Sequence, residues 1–327
     1  MLGRTYLRAN RQQEAIDHLR QAYELDPSET QYQLFLGDAY VKAALYSEGA
    51  TVLSKIDAST LPEQARGHLA QLRTVAYARS GRGDLAVPEA KKAAEADPGN
   101  VELWFAYGSL AYNEGDTNGA IDGLGRAAQL DPDDANKHLA LAQALLKKAR
   151  STPSDTRSGS YRRAAIAAQK ATSIDANVDN LTLLGECYLG AEDYDNAISS
   201  FRGALTKPDS GWLQHYYIGQ LSVMTGQYEE AKSALEMALS GAEAEGDRTR
   251  IWKQFGFLYE RHQEFDKAVE AYTKAGDPSG VRRVRAQQKE PETDEREQAG
   301  SCTPEQIAAM ARSGLSDAQI KAACGGA

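Results

Sequence analysis

The sequence predicts an all-α fold, a superhelical solenoid of helical hairpins followed by a small C-terminal helical hairpin. The first observation is a recurring unit in which an alanine is followed by an apolar residue, a second alanine and an Asp-Pro pair. The second is the period, because Pro98 and Pro132 close two of these units 34 residues apart. The third is a small residue, usually glycine, upstream of each leading alanine. One such unit cannot bury its apolar side chains alone, so neighbouring units are expected to stack.

The composition is that of a folded protein. The 327 residues are 42% hydrophobic and 25% charged, which is too apolar for a disordered chain. The net charge of −9 argues against nucleic acid as a partner, because general binding to phosphates needs a basic surface. No apolar run reaches the length of about 18 residues that a transmembrane segment needs. The N-terminal residues contain no core of a signal peptide.

Each unit is predicted to consist of two antiparallel helices. Large residues spaced three and four apart, such as Trp104 and Tyr107, form one stripe on the first helix. A glycine at the crossing point, Gly108 in this unit, lets the two helices approach closely. The Asp-Pro pair ends the second helix, because the residue before a proline is displaced from the α region.

The two most regular units carry nearly all of the marked positions. One has Trp104, Tyr107, Gly108, Ala111, Ala120, Leu124, Ala127 and Pro132, and another has Trp252, Phe255, Gly256, Tyr259, Ala268, Tyr272 and Ala275. These sets resemble the tetratricopeptide repeat. The resemblance implies pairs of antiparallel helices stacked into a right-handed superhelix, with about eight repeats over residues 1–280.

Two of the repeats are expected to be irregular. The first aligns with the middle of a first helix, so it reads as N-terminally incomplete, and self-association through this repeat is a further expectation. The fifth carries an insertion at residues 151–160, whose Ser, Thr, Pro, Asp and Gly content predicts a solvated loop.

Residues 281–288 and 289–300 are expected to follow the repeats as a capping helix and an acidic linker. The capping helix contains Arg282, Arg283 and Arg285, which leaves contact with an acidic partner as an alternative role. The linker has the composition of a solvated segment.

Residues 301–327 predict the small helical hairpin. Thr303 and Ser316 each stand three residues before a glutamine, which is capping-box spacing. Antiparallel helices would bring Cys302 and Cys324 together, so we expect a disulfide between them while Cys187 stays reduced. Such a bridge would indicate a periplasmic or envelope-associated protein, and its absence a cytoplasmic one.

No catalytic, cofactor-binding or metal-binding residues are predicted. The five histidines fall in different units, and none stands at metal-ligand spacing with a cysteine, an aspartate or a second histidine. The sequence contains no phosphate-binding glycine-rich loop after a strand.

The resemblance implies that a protein or peptide partner lies in the concave groove lined by the first helices. The candidate groove residues are Leu34, Asp38, Phe105, Ser109, Tyr112, Leu139, Gln143, Tyr216, Gln220 and Lys253. Phe105, Ser109 and Tyr112 share one face of their helix, where aromatic residues are frequent anchors of a binding site. The alternative is that Phe105 and Tyr112 fill the seam with the next first helix, against Leu139.

The function that this pattern favours is a non-catalytic scaffold for a protein or peptide, in bacterial envelope assembly. The alternative is the regulatory or substrate-binding part of a larger enzyme whose catalytic domain lies upstream of residue 1.

Overall fold

The computed structural model describes residues 2–289 and 302–323, and the described residues form helices and short connections without a strand. The chain divides into two compact units, residues 1–209 and 210–327. This confirms the predicted all-α fold of helical hairpins.

The first unit contains six hairpins. Their helices are α1 (Leu2–Arg8), α2 (Gln12–Leu25), α3 (Thr30–Lys42), α4 (Tyr46–Leu53), α5 (Glu63–Arg79), α6 (Gly83–Ala96), α7 (Val101–Asn113), α8 (Thr117–Leu130), α9 (Ala135–Arg150), α10 (Ser154–Ile174), α11 (Val178–Gly190) and α12 (Tyr194–Leu205). A short 3-10 turn, Ala58–Thr60, precedes α5.

The second unit contains two hairpins, one further helix and the small C-terminal pair. Their helices are α13 (Trp212–Thr225), α14 (Tyr228–Gly241), α15 (Glu245–Arg261), α16 (Phe265–Lys274), α17 (Pro278–Lys289), α18 (Pro304–Arg312) and α19 (Asp317–Ala323). Among the described residues, none of these or the earlier helices combines the length and apolarity of a bilayer span.

The Asp-Pro pairs end second helices as predicted. The helices α2, α6 and α8 stop at Leu25, Ala96 and Leu130, each directly before the aspartate of such a pair. The next first helix then begins under a side-chain cap, since the Asn100 carboxamide oxygen accepts a hydrogen bond from the backbone N–H of Leu103.

In the fourth hairpin the crossing helices meet through backbone atoms. A Cβ added to Gly108 would lie 2.5 Å from the backbone nitrogen of Leu124, and one added to Gly123 would lie 2.6 Å from the nitrogen of Gly108. The helices α7 and α8 therefore touch through their backbones. In the sixth and eighth hairpins an aromatic ring, Phe201 or Tyr272, covers the corresponding glycine.

The expected loop at residues 151–160 is largely helical, which corrects the prediction from composition. The helix α10 begins at Ser154 and runs for 21 residues. Its added first turns pack on the next hairpin, where a Cβ at Gly190 would lie 2.2 Å from the Tyr161 ring. The Ser158 hydroxyl also donates to the carbonyl oxygen of Ala191 at 3.3 Å. These tertiary contacts outweigh the weak helix propensity of the segment.

The helix α17 begins at Pro278, three residues before the expected start of the capping helix. Its Val284 is fully buried against Ala268 and Tyr272 of the last hairpin. The guanidinium of Arg283 also pairs with Glu260 of α15, so α17 covers the end of the second unit's hairpins.

The small hairpin has the predicted local signals. Thr303 and Gln306 form a capping box at the start of α18, and Gly314 follows its end with φ of 87°. Cys302 is disulfide-bonded, and Cys187 is a buried free thiol. The expected partner Cys324 and the acidic linker beyond Lys289 lie outside the described residues.

Candidate binding surface

The first helices form the inner row of each unit. In the first unit α3 contacts α5, α7 contacts α9, and α9 contacts α11; in the second unit α13 contacts α15. The second helices lie to the outside of this row and pack between neighbouring first helices. Side chains on the exposed side of the inner row are therefore the candidates for binding a partner.

The helix α7 separates its packing residues from its inner-row residues. Trp104 and Tyr107 are buried, Tyr107 against the glycines of α8, and the indole N–H of Trp104 donates to the carbonyl oxygen of Pro98 at 3.0 Å. Phe105 and Tyr112 are half-buried at the edge of the same cluster. Their position is the seam between α7 and α9.

A lysine of α9 lies over each of these two rings. The Nζ atom of Lys137 is 5.8 Å from the centroid of Phe105, and that of Lys147 is 4.4 Å from the centroid of Tyr112. Lys147 also donates a hydrogen bond of 3.0 Å to the carbonyl oxygen of Tyr112. The aromatic faces are thus partly covered by cations, which leaves less of them for a partner than the sequence predicts.

The ammonium group of Lys137 is itself surrounded by carboxylates. It donates to Asp134 and lies 3.1 Å from Asp131 and 3.9 Å from Glu102. The hydrogen bond from Lys137 lowers the pKa of Asp134, and Asp134 in turn raises the pKa of Lys137. Lys137 is 7% exposed and fully paired, so it stabilises the seam and is not available to a ligand.

Three of the ten predicted groove residues are buried, which corrects their expected role as contact residues. Leu34 packs in a hydrophobic cluster with Leu53. Asp38 is 9% exposed and accepts a hydrogen bond from Lys42. Tyr216 is 6% exposed, and the guanidinium carbon of Arg250 lies 5.1 Å from its ring centroid. These side chains have little exposed surface to offer a partner.

The remaining predicted residues keep some exposed surface. Ser109, Leu139 and Gln220 are half-buried, and Gln143 and Lys253 are exposed. Tyr216, Gln220 and Lys253 belong to the second unit and the other seven candidates to the first.

The second unit has a pocket of about 390 Å³ on its inner row. It is lined by Gln220, Val223, Met224, Gln254, Phe257, Glu260, Arg261 and Arg283, which come from α13, α15 and α17. Met224 is 42% exposed and Phe257 is 48% exposed, although both are large and apolar. Arg261 is exposed and makes no ion pair within the described part of the chain.

A hydrogen-bonded network supports the floor of this pocket. Arg283 donates two hydrogen bonds of 2.8 Å to the carboxylate of Glu260, and the Tyr272 hydroxyl donates to the same carboxylate at 2.7 Å. The bond from Arg283 lowers the pKa of Glu260, while burial raises the pKa of Tyr272. Phe257 rests edge-on against the Tyr272 ring, with centroids 5.9 Å apart. The guanidinium carbon of Arg283 also lies 5.7 Å from the Phe257 ring centroid, so the network contacts this ring and still leaves Phe257 48% exposed.

Among the ten candidate groove residues, Gln220 lines this pocket, and Met224 follows Gln220 by one helical turn on the same face. The four-residue spacing of Gln220 and Met224 is the signal in the sequence that points to this pocket. Nothing in the sequence indicates that Arg283 of α17 closes the pocket. Among the described residues there is no group of His, Cys, Asp and Glu side chains arranged to hold a metal.

One model of the tetratricopeptide repeat matches residues 1–60 and 75–135, and a second model of the same repeat matches residues 181–211. No curated protein matches the chain.

Several solved structures are similar in fold. A crystal structure of MamA is 24% identical, covers 51% of this chain and 92% of its own, and has a TM-score of 0.45. PilF of Pseudomonas aeruginosa is 14% identical, with 69% and 99% coverage and a TM-score of 0.48. A thermophilic tetratricopeptide-repeat protein of Thermus thermophilus is 19% identical, with 59% and 98% coverage and a TM-score of 0.42.

Proposed function

Because the chain is a tetratricopeptide-repeat protein, we propose that it is a non-catalytic scaffold that binds a protein or peptide segment along its first helices. The observation that carries the proposal is the exposure of Met224 and Phe257 in the pocket of the second unit. Large apolar side chains that stay exposed in a concave site are typical anchors for a partner. Burying them against a partner's apolar side chain would stabilise a complex by about 25 cal/mol per Å² of apolar surface.

The polar lining of the pocket supports binding to a peptide. Gln220 and Gln254 offer side-chain amides that can donate and accept hydrogen bonds from a peptide backbone. Arg261 adds a cation at the rim that no described residue neutralises. The pocket thus combines apolar anchors with a few polar groups, which is the usual composition of a specific site.

The proposal includes an oxidising compartment, such as a bacterial periplasm, with a role in envelope assembly. Its support is the disulfide at Cys302, because such bonds persist outside reducing cytosols. Pairing of Cys302 with Cys324 is part of the proposal.

The test compares two exposed methionines of the same unit. Met224 lies in the pocket, whereas Met237 is 54% exposed on the second helix α14, outside the inner row. We expect Met224→Ala and Phe257→Ala to lose partners that the full chain captures from a cell extract, while Met237→Ala retains them. Thermal melting of each variant checks the fold.

Capture that survives Met224→Ala and Phe257→Ala together, in protein that melts normally, would refute this pocket as the binding site. Loss of the same partners in Met237→Ala would refute the assignment to the inner row.

A further inference from the structure

The outer surface of the fifth hairpin is basic in an otherwise acidic protein. Seven basic residues and one acidic residue lie between Lys147 and Lys170, in a chain whose net charge is −9. Three of these basic residues, Arg162, Arg163 and Lys170, are exposed on α10. The side chains of these three residues make no hydrogen bond or ion pair with the described part of the chain. We call these three residues, together with Ile166, the α10 basic face.

The face is held rigidly on a helix. The helix α10 buries its alanines, including Ala164, Ala168 and Ala171, against the neighbouring helices. The opposite side therefore points to solvent, where Ile166 and Lys170 follow Arg162 at successive turns. The contact of Tyr161 with Gly190 anchors the start of this helix, so the cations are not on a mobile loop.

Ile166 lies at the centre of these cations and is 68% exposed. Isoleucine has a lower helix propensity than alanine, lysine or glutamine, so helix propensity does not explain an exposed isoleucine at this position of α10. Ile166 and Arg162 also border a pocket of about 460 Å³, whose far side is formed by Tyr188, Glu192 and Asp193 of the next hairpin. An apolar side chain of a partner can enter this pocket next to Ile166.

We propose that the α10 basic face binds an acidic protein segment whose glutamate or aspartate side chains flank one apolar side chain. The carboxylates would pair with Arg163 and Lys170, and the apolar side chain would occupy the pocket beside Ile166. This site lies on a second helix, outside the inner row, so it is independent of the pocket at Phe257.

The charges at the pocket favour a protein segment over other polyanions. Glu192 and Asp193 would repel a phosphate backbone laid across the face, whereas a peptide can place uncharged residues there. A membrane-surface helix needs a broad apolar face, and the apolar face of α10 is already buried. Ile166 alone would remain for insertion into a bilayer.

The test uses the full chain and a fluorescein-labelled probe peptide of glutamates and aspartates around one leucine. The probe is amidated at its C-terminus, so that side chains are the source of its carboxylates. Fluorescence anisotropy at low salt should show binding that weakens as salt is added. A probe with Gln and Asn in place of the acids, and one with Ser in place of the leucine, should both bind more weakly.

Two double variants change the net charge of the protein by the same amount, one on the α10 basic face and the other on α17. Arg163→Glu with Lys170→Glu should weaken probe binding by about tenfold, since two attractive pairs become repulsive. Arg282→Glu with Arg285→Glu on α17 alters two exposed arginines and should weaken binding less than about twofold. Ile166→Ser should weaken binding about fivefold through lost apolar contact. Phe257→Ala should leave probe binding unchanged.

Equal losses in the two charge variants, or equal binding of the amide probe, would overturn the proposal. A second result would also overturn it. If the acidic probe does not bind, but the full chain is retained on phosphatidylserine vesicles and the double variant Arg163→Glu with Lys170→Glu is not, the face recognises a membrane.

Discussion

Lys147 of α9 lies over the ring of Tyr112 of α7 and donates a hydrogen bond to its carbonyl oxygen, with Nζ 4.4 Å from the ring centroid and 3.0 Å from the oxygen. One side chain thus joins two successive first helices by a cation–π contact and by a cap on a carbonyl near the end of α7. Lys137 repeats the cation–π contact at Phe105. The inner row of this region is a packed seam with a polar surface.

Replacing both Phe105 and Tyr112 with Ala should therefore lower stability. We expect a loss of about 3 kcal/mol in the free energy of unfolding for the pair, below the cost of two fully buried aromatics because both rings are half-buried. Urea denaturation followed by circular dichroism measures this loss, with Met237→Ala as the exposed control. An unchanged urea midpoint combined with a lost partner would instead make these rings binding anchors.

Replacing two glycines of α8 with alanine should change the stability of the protein in opposite directions. Gly123→Ala places a methyl group against the backbone of Gly108, so we expect a loss of about 2 kcal/mol or more. Gly125→Ala meets only Leu141 at 3.9 Å, and should gain roughly 0.5–1 kcal/mol from its better helix propensity. Melting temperatures of the two variants are the measurement, and a similar change in both would refute the close crossing of α7 and α8.

The pocket network should make the second unit sensitive to acid. The pKa of Glu260 is lower in the folded state than in the unfolded state, so its contribution is present above the unfolded value and is lost as the pH falls through the folded value. At pH 7 Glu260→Gln should cost roughly 2 kcal/mol, because charge-assisted hydrogen bonds are replaced by neutral ones. Urea titrations at pH 7 and at acidic pH should show the gap between the variant and the natural protein narrowing with acid. A gap that does not change with pH would mean that the carboxylate charge is unimportant.

Thiol labelling should distinguish the buried free Cys187 from the disulfide-bonded Cys302. Burial raises the pKa of the Cys187 thiol to about 12, so it should react with an alkylating reagent only after unfolding. Unfolded protein from the native compartment, kept without reductant, should then take up one label if Cys302 and Cys324 are paired. Mass spectrometry counts the labels, and three of them would exclude the bridge and the oxidising compartment that it implies.

Local signals in the sequence account for much of the fold. Asp-Pro pairs and glycines at crossing points act within one hairpin, so Leu130 and Gly108 could be placed by spacing alone. Contacts between hairpins cannot be predicted from such local signals. That Lys147 covers Tyr112 depends on how α9 lies on α7, and the 35 residues that separate them carry no periodic signal for it.

The binding surface was less predictable for the same reason. Tyr216 and Phe105 each lie three residues before a crossing glycine, yet Tyr216 is buried and Phe105 is half-buried. The difference comes from which side chains of the next first helix cover each ring. The prediction of a loop at residues 151–160 was wrong for a similar reason. Their composition indicated a loop, but contact with Gly190 of the next hairpin favours a helix.

The length of α10 constrains how this array of repeats can evolve. Arrays of repeats grow and shrink by duplication and loss of whole units, which works best when every joint is equivalent. Here the extra turns of α10 place Tyr161 where only glycine fits, at Gly190 of the following hairpin. A duplication or deletion that separates these two hairpins would set the ring against a different residue. The fifth and sixth hairpins are therefore expected to be inherited as one block.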